Sequence, residues 1–379
     1  MNEKLQALIE NEFPLEPGLI YLNHAAVAPW PLRTCKAIRA FAMENTRTGA
    51  KNYADWLRVE QKLRRQIQKL INAPASDDIA LVKNTSEALS MVASGIDWQP
   101  GDNVVSTDQE FPSNRIPWEA QPGVEFRPVP IDTVEDPEQA LMNACDERTR
   151  VMAVSSVQFG TGFKLGLEKL GDFCHSGNIL FCVDAIQSIG AHTLDVQVIQ
   201  ADFVMADAHK WMLGPEGIAL FYSHAAARDQ LRLYEYGWHM VESQGDYDRR
   251  DWEIAASARR FECGSSNMLG IHALSASLSL FQEIGMETIE HRLQGHVDRI
   301  MEELAKDERI QLLTPQQPQR RAGIVTFIRD DRDMAGLHRE LLARKIICAH
   351  RCGGIRFSPH FYTSPADLDK TIGIVNELL

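Results

Sequence analysis

The sequence has no apolar run that approaches the roughly 20 residues of a membrane helix. Residues 1–14 mix charged side chains with leucine and isoleucine at helical spacing, and they lack the basic start and continuous apolar stretch of a signal peptide. Internal repeats and low-complexity segments are also missing. We therefore expect a soluble, cytoplasmic protein without a membrane partner.

A positive net charge and paired cysteines are absent as well. The 39 basic and 52 acidic residues give a formal charge of −13, which opposes binding to nucleic acid. The cysteines lack the paired spacing of a zinc site or a disulfide framework, so we expect reduced thiols. They are Cys35, Cys145, Cys174, Cys182, Cys263, Cys348 and Cys352.

Common signatures of other site types are missing too. Neither GxxxxGK[ST] nor GxGxxG follows a predicted strand, which argues against a P-loop or a dinucleotide-binding turn. The 12 histidines form no HExxH motif or comparable ligand cluster, so no metal site is predicted.

The chain is well supplied with apolar residues, which make up 44% of its 379 positions. This length and composition favour two domains. Several short apolar runs between residues 79 and 222 are continuous, as strands buried on both faces are. We predict an α/β domain with a mostly parallel sheet. Its strands are predicted at residues 79–82, 103–106, 124–129, 150–157, 179–183, 203–205 and 217–222.

The pattern changes after residue 265 to long helical periodicity that continues to about residue 305. Two further strands, at 323–328 and 355–358, flank a helix at 334–344, as expected for a smaller α+β domain. The change of domain is predicted near residues 283–290. We assign residues 1–16 to an N-terminal helical segment, 17–285 to a large domain and 286–379 to a small C-terminal domain.

The most informative stretch runs from Phe181 to Tyr222. Its first strand ends in Asp184, its second ends near Asp207, and Lys210 follows in the next turn. A lysine amine at a strand end is partly desolvated, which lowers its pKa and makes it a nucleophile towards an aldehyde. An isolated lysine after a strand is more often a solvated surface residue.

The motif NTSEALSMV places Thr85 and Ser86 at a predicted helix N-terminus. Hydroxyls, free backbone N–H groups and the helix dipole together favour a phosphate there. The alternative is an ordinary cap, with Asn84 and Glu87 forming a capping box.

These motifs resemble those of class V aminotransferases and cysteine desulfurases. The resemblance rests on VDAIQSIG followed by ADFVMADAHKWMLGPEGIALFY, and on YLNHAAVAPWP, NTSEAL, EFPSNRIPW, FECGSSNMLGIHAL and IRFSPHFYTS. It spans most of the chain. It implies the fold type I architecture of enzymes that depend on pyridoxal 5'-phosphate (PLP), with the cofactor bound at the strand ends and an α-amino acid reacting through an external aldimine.

By this resemblance, Lys210 is the catalytic residue and carries PLP as a Schiff base. Asp184 holds the protonated pyridine nitrogen, and Gln187 contacts the phenolic oxygen of the cofactor. Arg356 clamps the α-carboxylate of the substrate, a task that suits its planar guanidinium.

The phosphate of the cofactor is assigned to Thr85, Ser86 and His209. Ser265 resembles a hydroxyl that relatives contribute to the phosphate site of the neighbouring subunit, which implies a homodimer with shared active sites. A cap for the helix that begins near Asn267 is the alternative role of Ser265.

Phe111 stands where desulfurases stack a histidine on the pyridine ring, and it offers stacking without a proton. A core phenylalanine is the alternative. Asn23 and His24 lie in a segment that relatives fold over the active site, and we treat them as substrate contacts.

Other positions also depart from the desulfurase pattern. Cys348 and Cys352 lie near the place of the catalytic cysteine, but the loop is too short, so persulfide chemistry on a protein cysteine is not predicted. Either Ser156 or Gln158 stands where many relatives have an asparagine near the phenolic oxygen. A carboxylate at Asp207 replaces a phosphate-binding serine, so we expect it to point elsewhere or to pair with a base such as Arg260.

These departures favour epimerase-like, kynureninase-like and aminotransferase branches over desulfurases. We predict an aminotransferase-like activity, with a PLP-dependent β-lyase (a C–S lyase, or desulfurase-like without the cysteine loop) or an epimerase as alternatives. A non-catalytic PLP-binding regulator is the hypothesis from another class, but no basic DNA-binding module is visible.

Overall fold

The computed structural model describes residues 3–379, so the first two residues of the predicted N-terminal segment lie outside the described part. The helices are α1 (Glu3–Glu12), α2 (Leu32–Thr48), α3 (Tyr53–Leu70), α4 (Thr85–Gly95), α5 (Ile116–Glu119), α6 (Pro137–Asn143), α7 (Leu167–Gly177), α8 (Ala225–Arg228), α9 (Met268–Ile284), α10 (Met286–Leu304), α11 (Met334–Ala343) and α12 (Pro365–Leu378). The strands are β1 (Ile20–Tyr21), β2 (Ile79–Val82), β3 (Asn103–Thr107), β4 (Glu125–Val129), β5 (Thr149–Ser155), β6 (Leu180–Asp184), β7 (Phe203–Asp207), β8 (Ala219–Ser223), β9 (Gln311–Leu312), β10 (Val325–Ile328), β11 (Ile346–Ile347), β12 (Ala349–Arg351) and β13 (Gly354–Phe357).

The predicted parallel sheet is confirmed. Its seven strands lie in the order β2-β8-β7-β6-β5-β3-β4, and β8 alone runs against its neighbours β2 and β7. The residues of β3, β6, β7 and β8 are buried along their whole length, which explains why their sequences are continuously apolar.

Helices cover both faces of this sheet. The residues of β6 alternate between two cores: Val183 packs with α9 and the end of α3, whereas Cys182 packs with α4. Each face is thereby removed from water, as a parallel sheet requires. The polar ends of the strands are left for the site.

The C-terminal part forms a second sheet of four strands, β12-β13-β10-β9, with its own core against α10, α11 and α12. The two-residue strand β1 pairs with β11, and Ile20 and Leu22 lie in this C-terminal core. The segment around β1, which the sequence analysis assigned to the large domain, thus packs with the C-terminal elements. The domain boundaries as a whole stay a prediction.

Across residues 3–379, every helix is too short or too polar to span a lipid bilayer.

Candidate active site

Polar side chains meet at the carboxyl edge of the seven-stranded sheet. Asp184 is the last residue of β6, Asp207 is the last residue of β7, and Lys210 follows shortly after β7. Because β2 runs in the same direction as β7, the start of α4 at Thr85 faces this edge too. The edge therefore brings together the residues predicted for the lysine, the ring nitrogen and the phosphate.

Asp184 is buried, and its Oδ1 accepts a hydrogen bond from the backbone N–H of Ile186 at 3.0 Å. Burial is the largest cause that raises the pKa of Asp184 to about 7, and the carboxylate of Glu110 adds to the rise. A buried carboxylate of this kind is stabilised by a cationic N–H partner. A protonated pyridine nitrogen would be such a partner.

Lys210 does not fit the surface alternative, because only 9% of it is exposed. Burial lowers the pKa of Lys210 to about 8, with Asp184 opposing the shift and Arg356 adding to it. More of the amine is therefore unprotonated near neutral pH than in an exposed lysine, and the unprotonated form is the nucleophile towards an aldehyde.

Phe111 lies beside this amine. The Nζ of Lys210 is 5.7 Å from the centre of the Phe111 ring, and Phe111 is 42% exposed. The alternative of a core phenylalanine is therefore wrong. Its ring also makes an edge contact with Phe159, at 5.1 Å between centroids. An exposed aromatic ring beside a buried lysine suits stacking on a flat cofactor.

The helix α4 is capped by Asn84, whose side chain accepts from the backbone N–H of Glu87 at 2.8 Å. The capping alternative is therefore correct for Asn84, but it leaves Thr85 free. The Oγ1 of Thr85 is buried without a hydrogen-bond partner at the first residue of the helix. Ser86 hydrogen-bonds Ser113 at 2.7 Å. A phosphate at this N-terminus would satisfy the Thr85 hydroxyl.

The sequence analysis suggested that Asp207 points elsewhere or pairs with a base such as Arg260, but the structure does not show the Arg260 pair. Arg260 forms an ion pair with Asp229 at 2.8 Å, whereas Oδ1 of Asp207 lies 3.4 Å from Nδ1 of His209. Neither of these two atoms has a hydrogen-bond partner within the described residues. The carboxylate at the end of β7 therefore lies beside the imidazole of His209, the residue before Lys210.

Gln187 is buried beside Trp211, the residue that follows Lys210. Its Oε1 accepts from Nε1 of Trp211 at 2.8 Å, and its Nε2 donates to the backbone oxygen of Ala25 at 3.1 Å. One amide hydrogen remains for another acceptor. The predicted contact with a phenolic oxygen would use that hydrogen, and it stays a prediction.

Asn23 and His24 differ in their surroundings. Both ring nitrogens of His24 are engaged, with the backbone oxygen of Ser358 at 2.8 Å and the hydroxyl of Tyr362 at 2.6 Å. His24 therefore ties the segment after β1 to the residues that follow β13. The Oδ1 of Asn23 is buried without a partner and is the freer of the two for a ligand.

Glu110 is a site residue that the sequence analysis missed. Its buried carboxylate accepts from the Thr107 hydroxyl and the Ser155 backbone N–H at 2.8 Å and from the Gln158 amide at 3.2 Å. It thereby joins the ends of β3 and β5 directly before Phe111. These hydrogen-bond partners come together only when the chain folds. In the sequence, the one local indication of Glu110 was its place in the EFPSN motif.

The two candidates at the end of β5 are both occupied. Ser156 hydrogen-bonds Ser188 at 2.6 Å, and the Nε2 of Gln158 donates to Thr107 and Glu110. Gln158 therefore retains only its Oε1, an acceptor, for any further contact.

Arg356 reaches the same edge from the C-terminal sheet. It is 2% exposed, and its Nη1 donates to the backbone oxygen of Phe159 at 2.7 Å, while its Nε has no partner. Burial is the main cause that lowers the pKa of Arg356 to about 10. Across residues 3–379, Arg356 forms no ion pair with an aspartate or glutamate. A buried guanidinium without a counter-charge favours binding of an anionic ligand.

The segment with Cys352 is a tight hairpin. Arg351 of β12 pairs with Gly354 of β13, so Cys352 and Gly353 form the whole connection. Cys348 is buried in the C-terminal core. The connection is therefore short, as predicted, whereas the absence of persulfide chemistry on Cys352 stays a prediction.

Ser265 is exposed, and the cap of α9 is Asn267, which accepts from the backbone N–H of Gly270 at 3.0 Å. The capping alternative is therefore wrong for Ser265. Its hydroxyl stands at the protein surface, where a second subunit has access.

Glu60, His239 and Glu262 are the side-chain group in residues 3–379 that lies close enough together for a metal ion. Arg64 already forms ion pairs with Glu60 at 2.6 Å and with Glu262 at 2.7 Å. Since its guanidinium supplies the positive charge, this cluster is best described as a buried ion-pair network.

The residues at the sheet edge fit PLP. The unpartnered Thr85 hydroxyl at a helix start suits a phosphate, the buried Asp184 suits a protonated ring nitrogen, and the buried Lys210 suits the aldehyde. Phe111 provides a face for stacking.

The fold is that of PLP-dependent fold type I enzymes. The structure of a cysteine desulfurase from Thermococcus onnurineus NA1 matches with a TM-score of 0.87 at 23% identity, covering 98% of this chain and 97% of that one. The cystine C–S lyase C-DES, solved with its product cysteine persulfide, matches with a TM-score of 0.88 at 23% identity, over 96% and 99% of the two chains.

Sequence comparison gives the family. The model of aminotransferase class-V matches residues 20–370. A probable cysteine desulfurase of Methanothermobacter thermautotrophicus is 32% identical over 95% of this chain and 94% of its own length. The uncharacterized aminotransferase YcbU of Bacillus subtilis is 31% identical over 85% and 84%. The chain belongs to the aminotransferase class-V family of PLP-dependent enzymes, which confirms the predicted family, fold, enzyme class and cofactor.

Proposed function

We propose that this enzyme breaks the Cβ–S bond of a sulfur-containing α-amino acid by β-elimination. One observation carries the proposal. A buried base, Lys210, lies near Arg356, a buried guanidinium without a counter-charge, and beside Phe111, whose aromatic ring does not titrate. The names of the relatives, which include cysteine desulfurases and a C–S lyase, support sulfur chemistry.

Each residue has a defined task in this proposal. Thr85, Ser86 and His209 hold the phosphate of PLP, Asp184 keeps its ring nitrogen protonated, and Gln187 contacts its phenolic oxygen. When bound, PLP withdraws electrons from the substrate Cα and so makes its bonds easier to break. Phe111 fixes the plane of the ring.

The substrate is oriented by its α-carboxylate on Arg356. The Nζ of Lys210 would take the α-proton of the bound substrate. The electron pair of the Cα–H bond forms a Cα–Cβ double bond while the Cβ–S bond breaks and sulfur leaves with its electrons. Water then converts the three-carbon fragment to pyruvate and ammonia. A sulfur anion is a stable leaving group, so this site needs no acid in place of Phe111.

Transamination is the second candidate. Lys210 alone would also suffice as the base for that reaction, and one relative is named as an aminotransferase. A panel of amino acids distinguishes the two. Release of pyruvate together with a thiol or sulfide, without an added keto acid, supports β-elimination. Turnover that requires a keto acid overturns it in favour of transamination.

Serine in place of Cys352 is expected to retain the activity within about twofold, because the proposed β-elimination uses no protein thiol and Cys352 is exposed. The measurement is kcat/KM for the best substrate of the panel. Cys348→Ser serves as the matched control at the other nearby cysteine. A tenfold or greater loss of kcat/KM in Cys352→Ser alone would contradict this expectation and favour persulfide transfer to the Cys352 thiol.

We further propose a homodimer with shared active sites. The segment between residues 234 and 254 exposes several aromatic side chains, and Trp238 and Tyr247 line one surface cavity with Tyr53 and Leu57 of α3. A cluster of exposed aromatic side chains is typical of a protein interface. Ser265 lies exposed shortly before the start of α9, and in this proposal it contacts the phosphate site of the partner.

Glutamate in place of Trp238 is expected to weaken the dimer, because a buried charge at an apolar interface costs several kcal/mol. Sedimentation should show a shift to monomer, with a parallel loss of bound cofactor as Ser265 leaves the partner site. Val198→Glu, at another exposed apolar residue, is the control. A wild-type monomer that retains its cofactor would contradict the shared site.

A further inference from the structure

Arg356 has a neighbour of the same charge on the same face of the C-terminal sheet. In the β12–β13 pair, Ala349 lies opposite Arg356 and Arg351 lies opposite Gly354. Opposed residues of an antiparallel pair point to the same face, as do residues two positions apart on one strand. Arg351 and Arg356 are therefore diagonal neighbours, with Cα atoms roughly 7–8 Å apart.

This face is turned towards the active site. Ile355 and Phe357, on the other face of β13, pack in the C-terminal core. Arg356 donates to the backbone oxygen of Phe159, and Thr326 opposite it donates to that of Gly160 at 2.6 Å. Both acceptors lie just beyond β5, so the two arginines stand over the edge that holds Lys210.

Neither guanidinium has a counter-charge. Within residues 3–379, Arg351 and Arg356 form no ion pair with a carboxylate, and Arg351 donates to the adjacent backbone oxygen of His350 at 2.9 Å. The charge of Arg351, after the larger effect of burial, lowers the pKa of both Arg356 and Lys210. One α-carboxylate balances only one of these positive charges.

Gly354 packs closely against β10. A Cβ at this position would collide with the backbone oxygen of Phe327, so the place opposite Arg351 has no side chain. The guanidinium of Arg351 is exposed, on the same face of the hairpin as Arg356.

We propose that Arg351 binds a second anionic group of the substrate, so that the preferred amino acid has a negatively charged end to its side chain. The inference rests on the proposed function, in which Arg356 holds the α-carboxylate. A side-chain carboxylate, sulfinate or sulfonate would form charge-assisted hydrogen bonds with the second guanidinium. Arg351 is then a specificity-determining residue.

The test compares S-carboxymethylcysteine with S-carbamoylmethylcysteine, which have similar shapes but differ in side-chain charge. The wild type is expected to prefer the anionic compound in kcat/KM by roughly tenfold or more, since hydrogen bonds to charged groups contribute that much. In Arg351→Gln the ratio should fall towards one, and Arg351→Lys should keep part of it. Arg309→Gln, at an exposed arginine paired with Asp307, should keep the wild-type ratio. The same ratio in wild type and Arg351→Gln overturns the inference.

A binding measurement separates this inference from the proposed reaction. Calorimetric titration of the holoenzyme with glutarate and with butyrate at low ionic strength should give tighter binding of glutarate, and Arg351→Gln should remove the difference. If neither cysteine derivative reacts but this difference is found, the proposed reaction fails and the inference stands. If both react and glutarate gains nothing over butyrate, the proposed reaction stands and the inference fails.

Discussion

Alanine in place of Lys210 is expected to reduce kcat/KM by at least about 10³-fold, because a positioned base contributes about 10²–10⁴ and the covalent attachment of the cofactor is lost with it. The visible absorption that reports a lysine-linked cofactor should disappear. The fold should survive, since removing a buried, partly charged amine leaves no unpaired partner except Asp184, which the ring nitrogen of added PLP would engage in the proposed site.

The control is Lys370→Ala, at an exposed lysine of α12, which should retain both absorption and activity.

The rate at which the wild-type apoprotein takes up the cofactor is also expected to depend on pH. The amine reacts in its unprotonated form and its pKa is lowered to about 8, so the rate of cofactor uptake should rise with pH below about 8 and level off above it. A rate of cofactor uptake that does not change between about pH 6 and pH 9 would argue against Lys210 as the reacting amine.

Glutamine in place of Arg356 is expected to lower kcat/KM by about 100-fold, because a bidentate charge-assisted contact with the substrate carboxylate is lost. Most of the change should appear in KM, since the α-carboxylate is bound before and during the reaction. Lysine at this position keeps the charge but loses the planar fork, and it should recover only part of the loss.

Thermal unfolding distinguishes this role from a structural one. Arg356 has no carboxylate partner in the described chain, so its replacement by a neutral side chain loses one hydrogen bond, to the Phe159 backbone oxygen, and should lower the melting temperature only slightly. A strongly destabilised Arg356→Gln with an unchanged KM for the remaining folded enzyme would mean that the arginine supports the fold rather than the substrate.

The architecture was largely predictable from the sequence, because the central strands are buried on both faces. Residues 79–82 were predicted as a strand with the bounds that β2 has, and the other predicted strands of the sheet differ from the structure by a few residues at their ends. The short strands β1 and β11 were not predicted. Two residues provide too little periodicity, and their pairing joins positions 326 residues apart in the chain.

The candidate site was predictable where one motif holds its residues, as for Asp184 and Lys210. Glu110 and Arg351 were missed for a physical reason. The carboxylate of Glu110 gains its partners from two other strand ends, and the direction of Arg351 follows from its register against Gly354. Such convergence is a property of the fold. Local sequence around Asp207 likewise gave the wrong partner, because His209 lies closer than Arg260.

The attachment of the cofactor to Lys210 is the central claim, and one measurement tests it most directly. The purified holoenzyme is treated with borohydride, which fixes a lysine–cofactor bond, then digested and analysed by peptide mass spectrometry. The account predicts that the cofactor is found on Lys210 in the peptide that follows β7. Modification of another lysine instead, or no fixed cofactor on a protein saturated with PLP, would contradict it.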